Sequence, residues 1–237
     1  MIHRAAAEGF ARSAEAYERG RPRYPAEAVG LLPAGAAVLD LAAGTGVLTR
    51  ALVAAGLDVV AVEPVKEMRA AIPESVRALE GTAEAIPLDA ASVDVVTVGQ
   101  AFHWFDGDAA LAEIHRVLRP GGLLALFWNV RVLEHPVHAA IDELIAPHRG
   151  STPSYRSGSW REALERTPLF EPPEEHSFDN SHEIDADGLV ARVGSTSFVA
   201  ALEPLERDRV LERVRALAEG GTVTLPYVTE VQLCRRR

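Results

Sequence analysis

The sequence contains a single cysteine, Cys234, and a single lysine, Lys66. One thiol excludes an intramolecular disulfide and leaves no thiolate cluster for structural zinc. Basic groups are scarce overall: 24 Lys and Arg stand against 34 Asp and Glu, a formal net charge of -10. That balance favours solubility and argues against a nucleic-acid backbone as the main partner, because neutralising phosphates needs a concentrated basic face. The one basic run, Arg235-Arg236-Arg237, reads as a solvated tail. Nowhere do 18 consecutive apolar residues occur, so no membrane span is expected, and the first twenty residues hold no apolar run of signal-peptide length. A cytoplasmic protein is the expectation. Neither G-x-S-x-G nor G-x-x-x-x-G-K-[ST] is present, which weakens hydrolase and nucleotide-triphosphatase readings. His135 and His138 have no acidic or cysteine partner at ligand spacing, so no metal site is expected.

What the chain does have is length for one sizeable core: 237 residues, 48% of them hydrophobic. Short apolar runs alternate with helical patterns. Strands are expected at Ala37–Leu41, Asp58–Val62, Val76–Glu80, Val93–Val98 and Leu123–Trp128, and helices at Val47–Ala55, Val65–Ala71 and Asp108–Leu118. Gly56, Pro73 and Pro120-Gly121-Gly122 punctuate them. Such alternation implies right-handed βαβ units and a mainly parallel sheet. Beyond Asn129 the rhythm breaks. His135–Ala146 looks helical, Ser151–Ser159 loop-like, Phe178 close to a strand, Pro204–Ala218 an amphipathic helix and Thr222–Leu233 a final strand.

In open parallel sheets, ligands bind beyond the carboxyl ends of the strands. Four segments fall there: Ala42–Gly46, Glu63, Gly81–Glu84 and Gly99–Trp104. Glycines in the first let the backbone turn tightly and approach a ligand. An acidic residue closing the second strand can accept hydrogen bonds from both ribose hydroxyls; alternatively, Glu63 is a carboxylate favoured by a helix N-terminus. Together the two features point to a nucleoside-containing ligand. The run from Gly44, G-T-G-V-L-T, lacks the third glycine of a dinucleotide fingerprint.

The segment Asp40-Leu41-Ala42-Ala43-Gly44-Thr45-Gly46 resembles the first motif of class I methyltransferases dependent on S-adenosylmethionine (SAM), with Ala42 in place of that motif's first glycine. The resemblance, to the methyltransferase-11-type family, continues through Val60–Pro64, Gly81–Pro87, Gly99–Phe105 and Ile114–Gly122. The A-x-H-W-F form of the fourth motif, with Phe10, Ala14, Tyr17, Arg21, Pro22, Tyr24 and Pro25, is similar to the trans-aconitate-methyltransferase-like branch. It implies a Rossmann-like, doubly wound, mostly parallel sheet of seven strands with an antiparallel strand near the C-terminus. It also implies one domain over 1–237. Residues 1–30 would cap the cofactor, 31–129 form the cofactor-binding core, 130–200 cover the substrate, and 201–237 add a helix and strand.

The implied donor is SAM, with S-adenosylhomocysteine (SAH) as product, and the implied reaction is methyl transfer to a small molecule, on a carboxylate or hydroxyl oxygen. Cofactor contacts are expected from Tyr17, Arg21, Asp40, Ala42, Gly44, Thr45, Gly46, Glu63, Pro64, Met68, Ala83, Glu84, Gln100 and Ala101. Acceptor contacts are expected from His103, Trp104, Trp128, Asn129 and Tyr155. His103 stands as the candidate catalytic residue: its unperturbed pKa suits a general base, while orienting the acceptor or satisfying a buried hydrogen bond are equally open roles. Arg131, Arg149, Arg156 and Arg161 are cations that could hold a carboxylate, or simply a solvated surface. Two other functions remain: an NAD-linked oxidoreductase, and a SAM-binding protein without turnover.

Overall fold

The computed structural model describes residues 20–237. Seven strands form one sheet: β1 (Ala37–Leu41), β2 (Asp58–Val62), β3 (Arg77–Leu79), β4 (Val93–Gly99), β5 (Leu118–Arg131), β6 (Glu174–Ile184) and β7 (Val223–Arg235), in the order β3-β2-β1-β4-β5-β7-β6. The first five pair in parallel. β7 lies antiparallel to both β5 and β6. The expected seven-stranded sheet with one reversed strand near the C-terminus is therefore present.

Period-two alternation explains why the central strands are apolar throughout. Leu39, Leu41, Val96, Val98, Leu124, Leu126 and Trp128 face one buried layer, while Val38, Val95, Ala125 and Phe127 face the other. The helices α1 (Ala26–Val29), α2 (Val47–Ala54), α3 (Lys66–Arg69) and α4 (Gly107–Val117) belong to this core half. Asp106 caps α4, its side chain accepting from the Ala109 amide at 3.2 Å.

A second apolar cluster sits apart. It is built from Ile141 and Ile145 of α5 (Pro136–Ile145), Leu189 and Val193 of α7 (Ala186–Gly194), Val199 of α8 (Ser197–Ala200), and Val210 and Val214 of α9 (Pro204–Ala216), packed on Leu225 and Tyr227 of β7.

Three expectations from sequence need correction. β5 does not start after Pro120-Gly121-Gly122 but runs through it. Its pairing steps from Leu118 to Leu123 while its partner β4 advances only from Val93 to Val95, so the Pro-Gly-Gly stretch is a bulge that leaves the ladder. A Cβ on Gly122 would lie 2.9 Å from the carbonyl oxygens of Arg119 and Asp94, which is why glycine occupies that point. Second, Arg235-Arg236-Arg237 is no solvated tail. Arg235 ends β7, the Arg236 amide donates to the Gly122 carbonyl at 2.8 Å, and the Arg237 amide donates to Leu169 at 3.0 Å. Third, the loop expected at Ser151–Ser159 contains a short 3-10 turn at Tyr155–Ser157 and opens into a further helix, α6 (Ser159–Arg166). Trp160 of α6 is buried in the core. Helices α7 and α8, also unanticipated, are short, spanning nine and four residues.

A polar bolt holds the reversed end of the sheet. Thr229 of β7 donates its hydroxyl to Asn129 Oδ1 at 2.5 Å, and Asn180 of β6 donates to both at 3.1 Å. Asn129 and Asn180 also donate to the carbonyls of Pro22 and Arg23, at 3.2 and 2.8 Å. The network thus ties three strands to the segment entering α1. Thr229→Val, which keeps shape but deletes the hydroxyl, is expected to destabilise by about 1–3 kcal/mol. Urea unfolding checks this, and an unchanged midpoint would contradict the role given to the network.

Candidate functional site

The turn between β1 and α2 requires unusual backbone. Ala42, Gly44 and Gly46 all have positive φ, at 55°, 59° and 85°. Glycine enters that region freely, whereas alanine does so at a cost of roughly 1–2 kcal/mol. Ala42 therefore holds a conformation that the turn imposes on it.

Glu63 supplies part of that imposition. Its Oε2 accepts from the Gly44 amide at 2.8 Å and its Oε1 from the Val65 amide at 2.9 Å. One buried carboxylate so joins the β1–α2 turn to the β2–α3 turn. Burial raises its pKa, and the two amides oppose the rise.

Asp40, fully buried beneath the turn, accepts from the hydroxyls of Thr49 at 2.5 Å and Thr97 at 3.2 Å. Burial pushes its carboxyl up to about 7. Thr45 is also fully buried, and its carbonyl accepts from Arg50 at 2.8 Å. Met68 is buried with its sulfur 4.0 Å from the point where a Cβ on Gly44 would stand. Pro64 follows Glu63, and its carbonyl accepts from Arg69 at 3.2 Å. Ala83 packs into the core, while Glu84 accepts from the Asp106 amide at 3.2 Å.

Beyond β4 the chain turns again at Gln100, whose φ is 60°. Its amide donates to Phe127 at 2.9 Å and its side chain to the Asn129 carbonyl at 3.1 Å. Ala101, half-buried against the core, precedes a 3-10 turn over Phe102–Trp104. This turn sets His103 with its ring centre 4.9 Å from that of Trp104 and 5.6 Å from Trp128. His103 Nδ1 is buried without a partner. Burial, reinforced by the Arg21 charge, lowers its pKa to about 4. The imidazole is thus neutral at pH 7, and too weak a base for the ordinary histidine value expected from sequence to apply.

Two neighbouring hollows follow from this geometry. A narrow crevice of about 40 Å³ lies over Ala42–Gly44, with Tyr24 and Arg192 among its walls. A wider cavity of about 210 Å³ is bounded by His103, Trp104, Tyr155 and side chains of α5, α7 and α8. Arg21, Gln100, Asn129 and Arg192 line both.

Of the residues expected to meet an acceptor, Trp128 is the exception in placement. It is fully buried behind the wall, its ring tilted against Trp160 and Tyr155 with centres 4.8 and 5.0 Å away. Tyr155 donates its hydroxyl to Glu230. Arg131, Arg149 and Arg156 reach the cavity, but Arg161 does not. It lies over the Trp160 ring at 4.4 Å, near Glu175 and Glu230. Tyr17, like Phe10 and Ala14, lies outside the described residues. Arg192 and His138 were not recognised as wall residues from sequence. Arg192 falls on a nine-residue helix, α7, that was not expected, and a lone histidine carries no signal of its own.

A parallel sheet with a left-handed glycine turn and an acidic residue ending the next strand defines a nucleoside-cofactor fold. β7 reversed between β5 and β6 departs from the dinucleotide order. Comparison with known proteins specifies the class. Residues 39–126 match the family described as "Methyltransferase domain". The chain is 44% identical over 233 residues to an uncharacterised methyltransferase of Mycobacterium tuberculosis, covering 93% of this chain and 92% of that one. It is 32% identical to an uncharacterised methyltransferase-like protein of Schizosaccharomyces pombe, over 92% and 88% of the two chains. The solved structure of a proposed type II methyltransferase from Anaeromyxobacter dehalogenans has the same fold, with a TM-score of 0.66, 24% identity, and coverage of 92% of this chain and 97% of that one. The chain belongs to the class I methyltransferase family, whose methyl donor is SAM.

Asp40 offers a direct check on this buried chemistry. Its carboxyl keeps its proton to about pH 7 in the folded protein, against an ordinary value of 3.8. Between those pH values the folded state binds more protons, so stability falls as pH rises. Asp40→Asn removes that fall. Its stability relative to the wild type is expected to rise between about pH 4 and 7, by up to about 1.4 kcal/mol per pH unit. A constant difference across a urea-unfolding series would contradict the assignment.

Proposed function

We propose that the chain transfers a methyl group from SAM, bound over the β1–α2 turn, to a small molecule seated in the 210 Å³ cavity. The observation that carries this reading is the wall common to crevice and cavity, Gln100 and Asn129 above all, where donor and acceptor would meet.

The residues around the crevice fit a nucleoside. The Gly44 position would admit close backbone approach. Glu63, buried and outside the crevice wall, holds the Gly44 amide and would reach ribose hydroxyls through the remaining lone pair on each oxygen only once the crevice opens. A crevice of about 40 Å³ holds little more than one water. Binding therefore requires Arg21–Tyr24 or Arg192 to shift outward, consistent with a leading segment that covers the cofactor.

When bound, SAM supplies a methyl already activated on a sulfonium, so the protein's task is positioning and water exclusion. Neutral His103 suits orientation of the acceptor more than proton abstraction, because a base of such low pKa has little driving force at pH 7. An already ionised carboxylate would need no base; a hydroxyl oxygen would lose its proton to another acceptor or to water.

Calorimetric titration tests the donor, with SAM and SAH binding expected and NAD binding absent. Heat with NAD alone would overturn the reading. For an acceptor found by tritiated methyl incorporation into a metabolite extract, His103→Gln is expected to keep SAM affinity and raise acceptor KM. The wild-type rate should show no histidine inflection between pH 6 and 8. An inflection near the ordinary histidine value, lost in the variant, would instead establish base catalysis.

A further inference from the structure

The cavity concentrates positive charge in a protein whose formal net charge is -10. Five of its wall residues are arginines: Arg21, Arg131, Arg149, Arg156 and Arg192. Among the described residues, no carboxylate lines it. One carboxylate, Asp142 of α5, stands behind. It accepts from Arg131 at 2.9 Å and Arg149 at 3.4 Å on one oxygen, and from Arg156 at 3.0 Å on the other. A single negative charge shared among three guanidiniums leaves two of them uncompensated. Arg131 is mostly buried, and its pKa is lowered to about 10 by burial and by neighbouring arginines, so it stays charged at neutral pH. The Nε atoms of Arg149 and Arg192 are buried without an acceptor. Like charges gathered in a half-apolar hollow repel and lose hydration, a cost that an incoming anion relieves.

The remainder of the wall is mixed, with apolar side chains beside Thr152, Ser154, Thr196 and Ser197. Ile141, Ile145, Val193, Phe198 and Leu225 face the same space. Position adds a direction: the three arginines gathered on Asp142 (Arg131, Arg149 and Arg156) line the cavity but not the crevice, whereas Gln100, Asn129, Arg21 and Arg192 line both.

We propose that the cavity binds a small amphipathic organic anion, its charged group anchored on Arg131, Arg149 and Arg156 and its apolar body against Ile141, Val193 and Phe198. The end opposite the anchor then faces the crevice. The anchored charge is therefore a recognition group, separate from the part of the molecule presented to the methyl donor. This inference rests on the reading of the cavity as the acceptor site. The guanidinium fork suits carboxylate and phosphonate alike.

The test is calorimetry on the SAH-saturated protein with four probes: 3-phenylpropanoate, its amide, 2-phenylethylphosphonate and citrate. The acid or the phosphonate is expected to bind at least tenfold tighter than the amide, and tighter than citrate, which lacks an apolar body. Arg149→Gln and, separately, the more exposed Arg156→Gln should each weaken the preferred anion by about tenfold or more, with SAH affinity and the circular-dichroism melt unchanged. Equal binding of acid, phosphonate and amide, or no binding by any of them at 10 mM, would overturn the anionic anchor. So would unaltered affinity in a folded Arg156→Gln protein. Tighter binding of citrate would overturn the amphipathic class. SAH binding, measured first, reports on the donor site independently, so failure there is distinct from failure of the anchor.

Discussion

The bond between the Glu63 carboxylate and the Gly44 amide is the joint on which the rest of the site depends. It fixes the β1–α2 turn against the end of β2, and with the Val65 amide it uses both carboxylate oxygens in place. Beneath it, Asp40 grips Thr49 of α2 and Thr97 of β4. Two buried acids so hold a loop in which three of five residues sit at positive φ. Neither acid gains from burial itself, since desolvation disfavours the charge of both. Their bonds instead set the backbone that a nucleoside would meet, an expense in stability spent on preorganisation.

From that joint the molecule divides by chemistry. The parallel half, through β5, supplies the rigid floor of the crevice, and its relatives are methyltransferases. The other half, built on β6, β7 and helices α5 to α9, supplies most of the cavity wall, including three of its five arginines, Arg149, Arg156 and Arg192. The polar bolt of Asn129, Thr229 and Asn180 lies at the border and carries the chain from Pro22 to Arg23 across it.

Much of this was legible from the residues. Strands buried on both faces announce themselves as apolar runs, and β1 and β2 fall where those runs do. The glycine turn and Glu63 were readable because backbone conformation there restricts residue type. The C-terminal half was legible in part: α5, α9 and β7 fall at the helices and strand expected at His135–Ala146, Pro204–Ala218 and Thr222–Leu233, whereas α6, α7 and α8 were not expected. β6 is an edge strand that alternates half-buried with exposed residues, many of them polar, so its period barely registers. Helix α7 is capped by Asp185, which accepts from the Gly188 amide at 2.7 Å, but it is only nine residues long. Arg192 on that helix and Arg161 on α6 look alike in sequence. Only packing separates them, one facing the cavity and the other lying flat on Trp160. His103 shows the same limit: its place after β4 was readable, whereas its depressed pKa arises from burial and from Arg21, distant in sequence.

The most direct test of the central claim is SAH affinity in wild type and Glu63→Gln, measured by calorimetry at a temperature where both are folded. Glutamine keeps one acceptor oxygen but turns an NH₂ group toward the other partner. The account predicts a loss of about 1.5–3 kcal/mol in SAH binding, the scale of hydrogen bonds to a charged group. A folded Glu63→Gln protein that binds SAH as tightly as the wild type would contradict it.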